Sequence, residues 1–256
     1  MTTLIILLIV FLGGVIALYL LLKNIAKVIF FAAVALVCIM LLYGYFIYRD
    51  FTDLKRNISV EEKVFLLADE KKLITGMIIK SFEIKGKSSP MIISADRLTE
   101  MQTSFAKGNY NKMLGDKYKL FIVKTDVLEE GLPDRVIIDS ANASTYVIQV
   151  ELTKSQMLKI IKSNEPLKEF SATLKIPQNM IPEEQQSDEY IKSSFFALAL
   201  EETSKNKGPS FLLEQYTEGD IIIYPEGTIL KTIKGLPKFL RKKLISRIVP
   251  SNIDNI

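Results

Sequence analysis

Two uncharged apolar runs near the start of the chain constrain its fold more than any other feature. They span Leu4–Leu22 and Val28–Tyr48, and neither contains Asp, Glu, Lys, Arg or His. A helix of about 20 apolar residues covers the roughly 30 Å hydrocarbon core of a bilayer. Because only the short interval Lys23–Lys27 separates the runs, we predict a tight turn there and an antiparallel transmembrane hairpin over residues 1–48.

The first run is interpreted as an uncleaved anchor rather than a signal peptide. A signal peptide has a positive n-region and a shorter apolar region, and residues 1–3 carry no basic side chain. At the far end of the second run, Tyr43, Tyr45 and Tyr48 form a cluster. Since amphipathic rings prefer the headgroup level, these tyrosines are predicted to lie at the membrane interface.

Lysine and arginine near the ends of the runs predict the orientation. The predicted turn holds Lys23 and Lys27, whereas Arg49, Lys55 and Arg56 closely follow the second run. Cytoplasmic segments carry the excess of these residues. We therefore expect a cell-membrane protein with two spans and both termini in the cytoplasm.

The remaining chain is predicted to contain a connector and one folded domain. Residues 49–58 are polar and charged and are interpreted as a juxtamembrane connector. Residues 59–256 combine apolar strand patterns, amphipathic helices and Gly or Pro turns, which predicts a cytoplasmic α+β domain. About 200 residues are enough for one domain with a proper core.

Short apolar, β-branched runs mark the predicted strands. Val64–Leu67 and Leu73–Ile79 flank a charged turn and predict a β-hairpin. The alternative is a helix over Glu61–Leu67, begun by a capping box of Ser59 and Glu62. The other predicted strands are Tyr118–Val123, Arg135–Asp139, Tyr146–Val150, Ala172–Ile176 and Asp220–Tyr224.

Predicted helices begin at capping residues and end near glycine, asparagine or proline. Three helices are predicted, between the boundary residues Ser94 and Gly108, Thr153 and Asn164, and Ser187 and Gly208. A further helix is predicted over Ser210–Tyr216. A basic C-terminal helical region is predicted over residues 231–249, with segments on either side of Gly235-Leu236-Pro237.

Charge is unevenly distributed along the chain. Residues 57–230 contain 21 Lys and Arg against 26 Asp and Glu, whereas the residues from 231 onward contain seven cations against Asp254. The seven cations are Lys231, Lys234, Lys238, Arg241, Lys242, Lys243 and Arg247. We predict that they contact a membrane surface with anionic lipid headgroups.

The apolar residues of this C-terminal segment leave two interpretations open. Leu236, Leu240, Leu244 and Ile248 are four residues apart, so on one helix they would form a stripe. The stripe suits either a membrane surface or packing of the helix on the domain with its lysines in water. Nucleic acid would also attract the cations but is not the expected partner.

Several kinds of chemistry are excluded by composition. The chain has no histidine, and Cys38 in the second apolar run is its only cysteine. A histidine general base, a Cys/His zinc site and a disulfide within the chain are therefore impossible. Glycine-rich phosphate loops and the spacing of a calcium loop are also absent from the sequence. We predict no catalytic residue, cofactor or metal site.

The segment Ile221–Thr228, IIIYPEGT, resembles the apolar strand and F-P-E-G-T block of the glycerolipid acyltransferases related to lysophosphatidate acyltransferase. The resemblance implies a membrane-bound enzyme in which this block helps bind the substrate phosphate. In that family an upstream N-H-x-x-x-x-D supplies the catalytic histidine, which this chain lacks, and Ile229 replaces the usual arginine. The resemblance covers eight of 256 residues. A strand that ends in a Pro-Glu-Gly turn is the alternative explanation.

A serine–lysine dyad is the other enzymatic alternative. Ser88, Ser89 and Ser94 lie near Lys85 and Lys87 in the sequence, and a buried lysine with a lowered pKa can activate a serine. Solvated loop residues explain the same pattern.

We expect a membrane-anchored, non-enzymatic interaction or scaffold protein whose expected partner is the lipid bilayer. The sequence does not identify a protein partner. The alternatives are a membrane-bound hydrolase of serine–lysine type, a degenerate glycerolipid acyltransferase, and an accessory subunit of a larger membrane complex.

Overall fold

The computed structural model describes the backbone of residues 2–58, 60–80, 90–141, 147–178, 181–241 and 243. The chain forms two compact units, Met1–Thr52 and Asp53–Ile256.

The first unit consists of helix α1, Thr2–Asn57, whose last residues belong to the second unit. The turn predicted at Lys23–Lys27 is absent, because α1 continues through it, and the structure does not show a two-helix hairpin. That interval, KNIAK, contains neither glycine nor proline, the two strongest helix breakers, so α1 can continue through it. Residues 49–57, predicted to be a connector, are helical for the same reason.

The second unit is an α+β domain built on a mixed sheet, as its sequence predicts. The order of the strands is β3-β2-β1-β4-β7. Strand β1 pairs in parallel with β4, and the remaining neighbours pair antiparallel. The strands are β1 (Lys63–Asp69), β2 (Lys72–Ile79), β3 (Met91–Ile92), β4 (Lys119–Lys124) and β7 (Ile221–Tyr224).

A second, two-stranded sheet pairs β5 (Arg135–Ala141) with β6 (Val147–Thr153). The helices of the domain are α2 (Ala95–Ala106), α3 (Tyr110–Leu114), α4 (Thr125–Gly131), α5 (Lys154–Lys162), α6 (Pro166–Leu174), α7 (Asp188–Lys207), α8 (Pro209–Glu218) and α9 (Thr228–Gly235).

The main sheet lies between two hydrophobic layers. Alternate residues of β1 serve each layer, so Val64 and Leu66 face the layer that contains α2 and α3. Phe65 and Leu67 face the larger layer, which contains α4, α5 and α7. Strand β1 is buried on both faces, which explains why its apolar run is continuous rather than alternating.

Side chains secure the exposed start of β2. The Gln102 side chain accepts a hydrogen bond from the backbone N–H of Leu73 at 2.6 Å. Its amide also donates to the carbonyl of Lys71 at 2.9 Å. Strand β3 pairs with β2 only at Met77 and Ile78, so it does not reach the start of β2. There the Gln102 amide forms the hydrogen bonds that the peptide group of a neighbouring strand would form.

Most predicted elements of the domain are confirmed, including the β1–β2 hairpin, whose helical alternative is wrong. Helix α5 begins with a capping box of Thr153 and Gln156. The strand predicted over Ala172–Ile176 is wrong, because α6 covers most of it. Leu167, Phe170 and Leu174 have helical spacing and pack against the core, which explains the helix.

Candidate functional site

The apolar surface of α1 is the first candidate site. Phe31–Leu54 has the length and apolar composition of a membrane span, and none of its most apolar window is buried. Leu36, Leu41 and Leu42 are each more than half exposed. Side chains of this kind are buried in a domain core or in a bilayer, and they are in no core here.

The three predicted interfacial tyrosines lie on this exposed stretch. Tyr43, Tyr45 and Tyr48 are 47%, 59% and 69% exposed. Just beyond them, the guanidinium carbon of Arg49 lies 5.9 Å from the centre of the Phe46 ring. Aromatic rings followed by a cation are typical of the end of a membrane span.

Lys234, Lys238 and Arg241, which the structure describes, contact carboxylate or carbonyl groups of the domain. Lys234 in α9 lies 3.0 Å from the carboxylate of Glu226. Lys238 lies 3.4 Å from the Glu218 carboxylate, and Arg241 donates to the backbone carbonyl of Thr217. The structure therefore places these cations beside the end of α8 and the turn between β7 and α9.

The other cations are placed differently. Lys231 is exposed on α9, and Lys243 is exposed in the helical segment that begins at residue 238. Lys242 and Arg247 lie outside the described residues.

The basic C-terminal region has the predicted break at Gly235-Leu236-Pro237. Helix α9 ends at Gly235, and a second helical segment begins after Pro237. Leu236 is the C-cap of α9, so the stripe predicted to join it to Leu240 on one helix is wrong. Proline has no backbone N–H to donate to the carbonyl four residues earlier, and its ring clashes there, which explains the break. Leu244 and Ile248 lie outside the described residues.

The segment that resembles the acyltransferase block has a structural role in this fold. Strand β7 ends at a cis peptide bond between Tyr224 and Pro225. The Pro225 carbonyl accepts a hydrogen bond from Lys119 at 2.7 Å. Glu226 pairs with Lys234, and its charge adds to the effect of burial in raising the pKa of the buried Tyr216. The carboxylate of this turn is therefore used in contacts within the domain.

Most of the serine–lysine candidates lie in a part of the chain that the structure does not describe. These are Ser88, Ser89, Lys85 and Lys87. Ser94 is the exposed N-cap of α2, and its side chain makes no capping bond.

Sequence reasoning missed a cleft between β2, α2 and the start of α7. Its volume is about 290 Å³, and Thr75, Leu98, Gln102 and Lys192 are among its lining residues. Burial lowers the pKa of Lys192, and repulsion from Lys72 lowers it further. The sequence gives no local signal for this cleft, because these lining residues come from β2, α2 and α7. Thr75 in β2 and Lys192 in α7 are more than a hundred residues apart.

Two buried lysines were also missed. Lys63 and Lys119 are paired in register at the start of the parallel strands β1 and β4, and they are 0% and 6% exposed. Lys63 donates to the carbonyl of Glu61. Burial lowers the pKa of Lys63. Lysine is usually exposed, so the sequence gives no signal for this burial, whereas both long side chains are buried along their stems.

Comparison of the chain with protein-family models, with curated proteins and with solved structures found no match. The class defined by the geometry is an α+β domain that follows a long helix with an exposed apolar surface. Function is therefore inferred from that arrangement alone.

Proposed function

We propose that this protein is a membrane-anchored, non-enzymatic interaction or scaffold module. The exposed apolar surface of Phe31–Leu54 carries the proposal. Transfer of apolar surface from water to hydrocarbon is favourable by about 25 cal/mol per Å², so a bilayer stabilises this segment strongly. Helix α1 then holds the α+β domain at the membrane, where its surfaces meet other membrane-bound partners.

The domain is proposed to face the cytoplasm. Arg49, Lys55 and Arg56 follow the apolar run Val28–Tyr48, whereas Lys23 and Lys27 precede it. The excess of positive residues on the domain side supports this orientation. Tyr43, Tyr45 and Tyr48 would then lie toward the cytoplasmic interface.

The run Leu4–Leu22 is proposed as a second span. A continuous helix of 56 residues is about 84 Å long, whereas the hydrocarbon core is about 30 Å thick. Both runs fit one bilayer only if α1 breaks between them, and Lys23–Lys27 supplies the polar residues for a surface turn. Insertion in lipid is the condition that favours this break.

Two buried hydroxyl groups that bond within the fold are consistent with a non-enzymatic role. Thr125 donates to the Asp69 carboxylate at 2.6 Å, and Ser193 donates to a backbone carbonyl. Both bonds join secondary-structure elements. These hydroxyls therefore stabilise the fold.

Extraction of membranes at alkaline pH tests the anchor. The full chain should remain with the lipid, whereas L36R and L42R combined with L12R in the proposed second span should release it, because an arginine at the centre of a span costs about 2.5–3.5 kcal/mol. The matched control, L12I with L36I and L42I, should stay in the membrane. Retention of the arginine variant would contradict the proposal.

Single-cysteine labelling tests the number of spans and the orientation. With Cys38 replaced by serine, cysteine is introduced at Thr3 or Lys107 and treated with an impermeant thiol reagent on intact cells. Two spans with a cytoplasmic domain protect both positions until the cells are permeabilised. Labelling of Thr3→Cys alone would show one span, and labelling of Lys107→Cys would show the opposite orientation.

A fluorophosphonate probe applied to isolated membranes tests the absence of hydrolase activity. Specific covalent labelling of one serine would overturn the non-enzymatic role. Capture of the full chain in mild detergent identifies partners, and a stoichiometric membrane complex would define it as an accessory subunit.

A further inference from the structure

The end of the described chain presents two adjacent apolar side chains to solvent. Phe239 is 72% exposed and Leu240 is 40% exposed. They lie in a helical turn after Pro237, whose carbonyl accepts hydrogen bonds from the N–H groups of Leu240 and Arg241. We call residues 238–241 and 243 the terminal turn.

Two contacts hold the terminal turn on the domain. Lys238 pairs with Glu218 at the end of α8, at 3.4 Å. Arg241 donates to the backbone carbonyl of Thr217, at 3.0 Å. Because residues 238 and 241 are three apart, these anchors lie on one side of the turn. Phe239 and Leu240 are left exposed on the remaining surface.

The charge around the exposed pair is positive. Lys243 follows Phe239 by four residues and Leu240 by three, so it shares their side of the helix. It is exposed as well. The body of the domain, residues 57–230, has the opposite charge, with 26 acidic against 21 basic residues. An apolar pair beside cations, on an otherwise acidic domain, complements an anionic surface with an apolar interior.

We propose that the terminal turn is a second membrane contact, in which Phe239 and Leu240 enter the interface of an anionic bilayer and Lys243 faces the headgroups. The inference rests on the proposed function, because α1 brings the domain to the same bilayer. Two apolar side chains and a few cations bind a free vesicle weakly. Attachment through α1 makes the contact intramolecular and raises the effective concentration of the bilayer surface at the terminal turn. A weak contact of this kind can then be occupied.

A tryptophan probe tests this contact in the full chain. The protein has no tryptophan, so F239W introduces a single reporter with a similar aromatic side chain. The variant is incorporated into nanodiscs of phosphatidylcholine alone or with phosphatidylserine. With phosphatidylserine, the emission should shift to shorter wavelength and brominated lipid should quench it. Raising the salt from 0.1 to 1 M should reverse both effects, since the Debye length falls from about 10 to about 3 Å.

The matched control is I137W, which places the same reporter on the β5 strand at a position that is 62% exposed. Its emission should not depend on phosphatidylserine. K243Q in the F239W background should weaken the interaction about fivefold, as expected for one cation near an anionic surface.

The results separate this inference from the proposed function. A chain that does not co-elute with nanodiscs contradicts membrane anchoring itself. If the F239W variant co-elutes, but its tryptophan emission is the same with and without phosphatidylserine, the terminal-turn contact is overturned and the anchor is left in place.

Discussion

The hydroxyl of Ser193 in α7 donates a hydrogen bond to the backbone carbonyl of Gly76 in β2, at 3.0 Å. The same oxygen lies 2.9 Å from Oγ1 of Thr75, and Ser193 is fully buried. Helix α7 is therefore joined to the sheet by a short polar network inside the domain.

We expect S193A to lower the free energy of unfolding by about 1–3 kcal/mol, because it leaves the buried Thr75 hydroxyl without this partner. Denaturant unfolding of the full chain in detergent measures the change. The control is S194A at the neighbouring, partly exposed position, where the change should stay within about 0.5 kcal/mol. Equal effects at both positions would contradict the role of the network.

Gly76 is also a packing requirement. A Cβ at this position would meet Leu66 Cδ2 at 2.4 Å and Ile93 Cδ1 at 2.9 Å. Both neighbours are buried, so G76A should destabilise the domain by about 1–3 kcal/mol through overpacking. At Gly235 in α9 a Cβ meets nothing within 4 Å, and G235A should not destabilise it. The same unfolding measurement compares the two, and equal effects would exclude steric crowding as the cause.

The pH dependence of stability should contain a contribution from Lys192. Burial lowers its pKa below the value of 10.5 that applies in the unfolded chain. Between these two pKa values the unfolded state binds more protons, so the free energy of unfolding rises with pH. K192M should reduce this rise, as measured by denaturant unfolding from pH 8 to pH 10.5.

Lys205 is the control, because its pKa is shifted in the direction opposite to that of Lys192. Hydrogen bonds to Glu201 and Glu202 raise its pKa above 10.5. Its contribution is therefore fully present below pH 10.5 and is lost only as the pH rises through the raised pKa. K205M should leave the slope below pH 10.5 unchanged, and a loss of slope there would contradict the assignment to Lys192.

The capping box of α5 makes a separate prediction. The Thr153 hydroxyl accepts a hydrogen bond from the Gln156 N–H, and the Gln156 side chain accepts one from the Thr153 N–H. T153A should cost about 0.5–2 kcal/mol of stability. T153D should recover most of it, since aspartate is also a strong N-cap. Failure of aspartate to recover stability would show that the threonine methyl group, not the cap, matters.

Local chemistry made much of the domain predictable. Thr153 and Ser187 are N-cap residues, and their helices begin where the sequence predicts. The charged turn after Ala68 separates two apolar runs, and these runs pair as β1 and β2. In each case the signal lies within a few residues of the feature.

Other features depend on distant residues and were missed. The parallel pairing of β1 with β4 has no local signal, and neither do the buried lysines that it places side by side. The predicted turn at Lys23–Lys27 was inferred from the thickness of a bilayer rather than from a residue that ends a helix. The structure of the chain keeps that interval helical. The prediction of a turn assumed that both apolar runs cross one bilayer, and that requirement applies only in lipid.

If the proposed anchor holds copies of this protein in one membrane, the Gln102 amide has a consequence for them. Confinement to a plane raises the frequency with which neighbouring domains collide, and an unsatisfied strand edge is a template for intermolecular pairing. Leu73 and Lys71 already bond to Gln102 at the start of β2. The backbone groups at that part of the strand edge are therefore already hydrogen-bonded within each molecule. They are not available to pair with the sheet of a neighbouring copy.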